Sequence, residues 1–242
     1  SSVAQGNWNN LSLLSGTSSA VVGDAKGTAE ATTATVTWTS ANTWSSTGRG
    51  EENNKFATNS ADFKLMTGYL DTGNATTSTV TISNLPPKLT SGGYDVYVYA
   101  IGGVGGKGGG YRIVDSATKK VLKDYVRLLA PTNTSSYVQV PILGGTNPNG
   151  ASRYGLGNLV VFSGLTSPNI TIEATTAGGL GTGSGPRAPI NAIQLVAPTT
   201  VTLYDVTYPG DRVVSSSTAA ADSPAAEGVA NRLRISCALA VS

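Results

Sequence analysis

The stretch Gly92-Gly93-Tyr94-Asp95-Val96-Tyr97-Val98-Tyr99-Ala100-Ile101-Gly102-Gly103 runs β-branched and aromatic residues without a break between two glycine pairs. Such residues suit a pleated, half-buried surface, and a short run of this kind bounded by turn signals reads as a central β-strand. Side chains alternate across a strand. Tyr94, Val96, Val98 and Ala100 therefore share one face, and Asp95, Tyr97 and Tyr99 the other. The first face is core. The second is either a displayed glycan surface or the packing side of a second sheet.

The same period of two recurs outward from this strand. In residues 33–39 it puts Ala34, Val36 and Trp38 on one side, which makes Trp38 a core residue. Residues 79–85 alternate cleanly and end at Pro86-Pro87, which cannot donate to a ladder. Residues 1–30 suggest one or two short strands and an irregular loop, and Phe63, Leu65 and Met66 are buried in this reading. Gly102-Gly-Val-Gly-Gly-Lys-Gly-Gly-Gly110 reads as a flexible hairpin tip leading to a returning strand at 111–114. It lacks the strand-loop-helix setting and the Gly-Lys-Ser/Thr ending of a phosphate-binding loop. Residues 115–120 turn into a strand at 121–129, and 135–143 reads as an edge strand because of Pro141. Further strands follow at 159–162 and 169–175, and one ending at Val196 closes the domain. The expectation is an all-β fold, an antiparallel β-sandwich (jelly roll) over residues 1–198, with an irregular C-terminal tail.

Composition limits the chemistry. The chain of 242 residues is rich in small and β-branched residues, only 12% of it is charged, and no segment carries a sustained helical period. Sixteen basic residues against 14 acidic ones, with no Lys/Arg run, favour neither nucleic acid nor an anionic membrane surface. There is no histidine and a single cysteine, Cys237. Ser-His-Asp triads, Cys-His pairs, His/Cys zinc sites and intrachain disulfides are thereby excluded. No stretch of about 20 apolar residues suggests a membrane span. The opening Ser1-Ser2-Val3-Ala4 fits a mature product whose signal peptide has been removed, and the expected location is extracellular, secreted or on a cell surface.

Four stretches carry a resemblance: Gly68-Tyr69-Leu70-Asp71, Gly93-Tyr94-Asp95-Val96-Tyr97-Val98-Tyr99, Asn158-Leu159-Val160-Val161-Phe162 and Arg187-Ala188-Pro189-Ile190-Asn191-Ala192-Ile193-Gln194-Leu195. Together they resemble a galactose-binding-like jelly-roll domain of large secreted or surface-anchored bacterial proteins. These are mostly packing motifs, so the resemblance specifies fold more than function. Residues 204–231 look like the opening of a discoidin-like (coagulation factor type C) module, which in that family precedes an Ala-Ile-Asp segment. Here the chain continues Arg232-Leu233-Arg234-Ile235-Ser236-Cys237 instead. Residues 199–242 are accordingly expected to be a linker and the truncated start of a second module, in a truncated or frame-shifted piece of a longer protein. The tail is expected to pack poorly unless it docks as an extra strand.

Three functions fit. The leading one is a non-catalytic module binding polysaccharide or another glycan. Trp8, Trp44, Tyr97, Tyr99 and Tyr154 would offer aromatic faces, and Asn158, Arg187 and Asn191 polar groups for sugar hydroxyls. Trp8 alternatively covers an open edge of the sandwich, and Trp44 lies in a polar loop. The second is a glycoside hydrolase using paired carboxylates among Asp95, Asp71 and Glu173. The third is a self-associating structural subunit of a filament or surface layer. No cofactor is implied. Ca²⁺ is possible as a structural ion, although no acidic cluster has ligand spacing. The charged run Arg49-Gly-Glu-Glu-Asn-Asn-Lys55 is read as a solvated face, with Glu51 and Glu52 as the other carboxylate source.

Overall fold

The computed structural model describes residues 6–25, 28–144, 153–197 and 233–239. Four short strands open it, more than the sequence suggests: β1 (Asn9–Leu11), β2 (Ser15–Ser18), β3 (Val22–Ala25) and β4 (Thr28–Ala31). Then come β5 (Thr35–Thr39), β6 (Asn42–Ser45), the short helix α1 (Ala61–Leu65), β7 (Gly68–Asp71), β8 (Thr77–Ser83) and the helical turn α2 (Pro87–Thr90). The quoted stretch forms β9 (Tyr94–Tyr99), followed by β10 (Gly110–Asp115), β11 (Val121–Leu129), β12 (Tyr154–Leu156), β13 (Leu159–Leu165), β14 (Ile170–Thr175), β15 (Ala192–Val196) and β16 (Leu233–Leu239). The architecture is an all-β sandwich. Among the described residues no helix is long and apolar enough to cross a membrane.

One sheet runs β13-β9-β15-β16-β3-β4 with β1 added on β16, the other runs β12-β11-β10-β14-β8-β5-β2, and β6-β7 form a small sheet of their own. Pairing is antiparallel except for β1 with β16 and β11 with β12. Register lines apolar residues up in rows across each inner face. Val98 stands between Val160 and Ile193, and Val96 between Phe162 and Leu195. Opposite them, Val80 stands between Trp38 and Ile172, and Ile82 between Val36 and Ile170. All of these residues are buried in one core.

The parity read from β9 holds, and the use of its second face is settled. Tyr99 is fully buried and Tyr97 half-buried. They share a second apolar cluster with Phe56, Leu65, Met66, Ile101, Leu159 and Val161, covered by Trp8, Phe63 and Tyr137. The cover is a segment rather than a second sheet. Ser60 caps α1 by accepting the Phe63 N–H at 3.0 Å, and this brings Phe63, Leu65 and Met66 over the tyrosines.

Two local expectations change. Gly102 to Gly110 is not a hairpin tip, because β9 is already paired on both edges by β13 and β15 while β10 belongs to the other sheet. The loop crosses between sheets, and it is tightly packed: a Cβ on Gly108 would lie 2.0 Å from the Leu128 carbonyl oxygen. Residues 135–143 form only an isolated parallel bridge, Gln139 with Leu159. Pro141 has no N–H to extend it, and the Val138 N–H is taken by the Asn158 side chain at 2.8 Å. Within the expected tail, β16 docks between β15 and β3. The stretch resembling a discoidin-like opening, 204–231, lies outside the described residues.

Two predictions follow from this packing. Gly108→Ala should lower stability by about 1–3 kcal/mol through overpacking, and Gly92→Ala, where a Cβ meets nothing within 4 Å, should stay within about 0.5 kcal/mol of the parent; chemical denaturation of both variants checks the contrast. In the β10–β11 turn, the Thr118 N–H, then the Ser167 and Thr118 hydroxyls, hold the Asp115 carboxyl at about 2, down from 3.8. A carboxyl lowered in the folded state stabilises it above the unfolded pKa, and that contribution disappears as pH falls through the folded one. Asp115→Asn should therefore be less stable than the parent at neutral pH and lose less stability between about pH 4 and pH 2, measured by thermal melts across that window.

Candidate functional site

The small sheet β6-β7 places four polar or aromatic residues on one face. Its register sets Asn42 against Asp71 and Trp44 against Tyr69, and the period of two keeps each strand's pair on the same side. This face forms one wall of a cleft of about 170 Å³. Glu51, the glycine segment Gly102, Gly103 and Val104, Lys107, Arg187 and Pro189 complete the lining.

Each wall is pinned by backbone. Asn53 donates its N–H to Gly103 O at 3.1 Å and its side-chain amide to Gly102 O and Pro131 O at 3.3 and 3.2 Å, which fixes the loop carrying Glu51. Only glycine fits at 103, where a Cβ would lie 2.1 Å from Glu51 Oε2 and 3.0 Å from Ser45 O. Leu70 and Ile190 exchange backbone hydrogen bonds of 3.0 and 3.2 Å, and the Tyr111 hydroxyl donates to Pro189 O at 2.8 Å. Together these hold the segment bearing Arg187 against β7.

The side chains are equally constrained. The Trp44 indole N–H donates to Glu51 Oε2 at 3.1 Å, and the Arg49 guanidinium carbon lies 5.0 Å from the centre of the Trp44 ring. Arg187 Nε meets Asp71 Oδ1 at 3.3 Å, while Nη1 donates to Pro186 O at 2.9 Å and to Gly185 O at 3.4 Å. Asp71 also accepts the Gly73 N–H at 3.2 Å. The Tyr69 hydroxyl oxygen accepts the Gly103 N–H at 3.1 Å. Burial first, and then the charges of Asp71 and Glu51, push its pKa well above the ordinary value. The phenol therefore stays protonated at neutral pH.

Of the residues named from sequence, Trp44, Arg187 and Asp71 come together in this cleft, with Trp44 on a strand rather than in a loop. The others lie elsewhere. Asn158 is fully buried and spends its amide on Val138 N and Ser136 O, both at 2.8 Å. Asn191, also fully buried, accepts from Ile101 N at 2.7 Å and donates to Met66 O and Gly68 O at 3.0 and 3.1 Å. Tyr99 is fully buried with its hydroxyl on Gln194 Oε1 at 2.8 Å, and Trp8 packs edge-on against it at 6.4 Å. Tyr97 is half-buried beside them. Tyr154 is exposed on the edge strand β12. Asp95 accepts the Gly164 N–H at 2.9 Å, and Glu173 pairs with Arg112 at 2.6 Å on the other sheet, so neither joins Asp71.

Tyr69, Asn42 and Lys107 are the lining residues with polar side chains that sequence reading leaves out, and Glu51 is one it reads as part of a solvated face, with a carboxylate role as the alternative. The available signals were the shared parity of Tyr69 with Asp71 and the lone cation inside the glycine run. Among the described residues no three His, Cys, Asp or Glu side chains gather as a metal site. Comparison with protein-family models, curated proteins and solved structures finds no match to this chain.

Asn191 is a scaffold residue with three buried hydrogen bonds. Asn191→Ala should cost about 2–4 kcal/mol by stranding its backbone partners, visible as a lowered thermal midpoint.

Proposed function

We propose that the domain is a non-catalytic carbohydrate-binding module whose ligand enters the cleft between β6-β7 and the glycine segment. The observation that carries this reading is the grouping of the Trp44 indole with Asn42, Glu51, Tyr69, Asp71 and Arg187 on one lining. A pyranose offers apolar C–H patches beside hydroxyls that both donate and accept. It is matched by an aromatic surface ringed with fixed donors and acceptors. The volume is small beside the ~300–1,000 Å³ of pockets for drug-sized ligands. It suits one sugar ring, or the end of a chain, better than a long stretch of polymer.

A second reading has one observation in its favour: Glu51 and Asp71 are two carboxylates on one cleft, the minimum for glycoside hydrolysis. Both are occupied as acceptors, Glu51 by the indole N–H and Asp71 by Arg187 and the Gly73 N–H. That suits holding a ligand more than donating a proton to a leaving group.

Retention on a panel of insoluble polysaccharides tests the proposal. Trp44→Ala should weaken retention at least about tenfold, as the loss of a stacking aromatic does at a binding hot spot. Trp8→Ala should lower the thermal midpoint and leave the folded fraction's retention intact. No retention of the parent protein on any glycan refutes the reading. Reducing-sugar release that disappears in Glu51→Gln and Asp71→Asn replaces it with the hydrolase.

A further inference from the structure

Two cationic side chains converge on one edge of the cleft from different glycine-rich segments. Lys107 comes from the loop between the sheets, and its Nζ lies 3.9 Å from where a Cβ on Gly185 would sit. Arg187 Nη1 donates to the Gly185 carbonyl itself. Both therefore reach Gly185, and both line the cleft. Asp71 lies at this edge and is engaged by the guanidinium. Glu51 is turned to the Trp44 indole. Lys107 is half-buried, and its ammonium has no hydrogen-bond or ion-pair partner among the described residues. Two cationic side chains on one edge of a cleft make that edge a favourable place for an anionic group.

We infer that the ligand is an anionic sugar, whose carboxylate or sulfate group seats between Lys107 Nζ and the Arg187 guanidinium while the ring lies against Trp44. This rests on the carbohydrate reading and specifies its ligand class. Guanidinium and ammonium together match such a group, the first through Nη2, the nitrogen not engaged by Asp71 or the two carbonyls, and the second as a point charge. The unpaired cation then acquires its partner on binding. Uronate and sulfate ester share this chemistry, and the test separates them.

Matched pairs that differ only in charge decide the question: oligogalacturonate against its methyl ester, and a sulfated galactan oligosaccharide against its desulfated form, each titrated calorimetrically into the full chain. The charged member of at least one pair should bind about tenfold or more tighter, and which pair discriminates identifies the group. Lys107→Gln should bring the two members of that pair to within about threefold, Lys107→Arg should keep most of the preference, and raising the salt should weaken the charged member alone. The Lys107 side chain makes no hydrogen bond or ion pair among the described residues, so unchanged melting of Lys107→Gln serves as the folding control. Equal binding of charged and neutral members overturns the inference and leaves the carbohydrate reading standing. Failure of every member to bind, together with failure on the neutral panel, overturns both.

Discussion

Strand β9 is hydrogen-bonded on both edges, by β13 and β15, and covered on both faces, by the inter-sheet core through Val96 and Val98 and by the outer cluster through Tyr97 and Tyr99. A strand so enclosed has no freedom in register, because a slip of one residue would turn valines outward and tyrosines into the core. It also cannot form a hairpin with the strand that follows. The chain leaving Tyr99 must cross to the other sheet, and the glycine segment that makes this crossing becomes a wall of the cleft.

The crossing explains why glycine is needed where a flexible tip would tolerate other residues. Gly108 pairs with Thr182 of the second glycine-rich segment through backbone bonds of 3.1 and 3.0 Å, and Thr182 donates its hydroxyl to Leu128 O at 2.6 Å. Arg127 reaches Leu180 O and Gly181 O at 3.1 and 3.0 Å. The two segments that carry Lys107 and Arg187 are thus fastened to each other and to β11. Close backbone approach, rather than mobility, is what the glycines provide.

Legibility in the sequence followed the range of the forces involved. Period-two alternation depends only on neighbours along the chain, so β5 and β9 could be read with their inner faces, and β8, β11 and β14 as strands. The second face of β9 could not, since its cover comes from residues 56–66, far away in sequence. Asn158 and Asn191 look like sugar-binding amides because composition does not say whether an amide meets a ligand or a stranded backbone carbonyl. Burial decided this, as buried polar groups must find partners. Trp44, Asp71 and Arg187 were each recognisable as single residues. Their meeting depends on the β6-β7 register and on the Leu70–Ile190 bridge, which pair segments about 30 and 120 positions apart.

The cleft's rigidity bears on how it can bind. Removing Asp71, whose side chain is about 10% exposed, from water is costly unless the charge is compensated. Arg187 compensates it while also donating to two carbonyls, which a lysine there could not do in the same planar geometry. Trp44 is held through its N–H by Glu51, and Tyr69 through its oxygen by Gly103. A ligand meeting these groups loses little to the ordering of protein side chains, so weak individual contacts can add up to useful affinity. Lys107 is the exception, with a long side chain on a fastened backbone and an ammonium left to the cleft. Ordering that side chain costs conformational entropy, which the fixed side chains around it do not incur on binding.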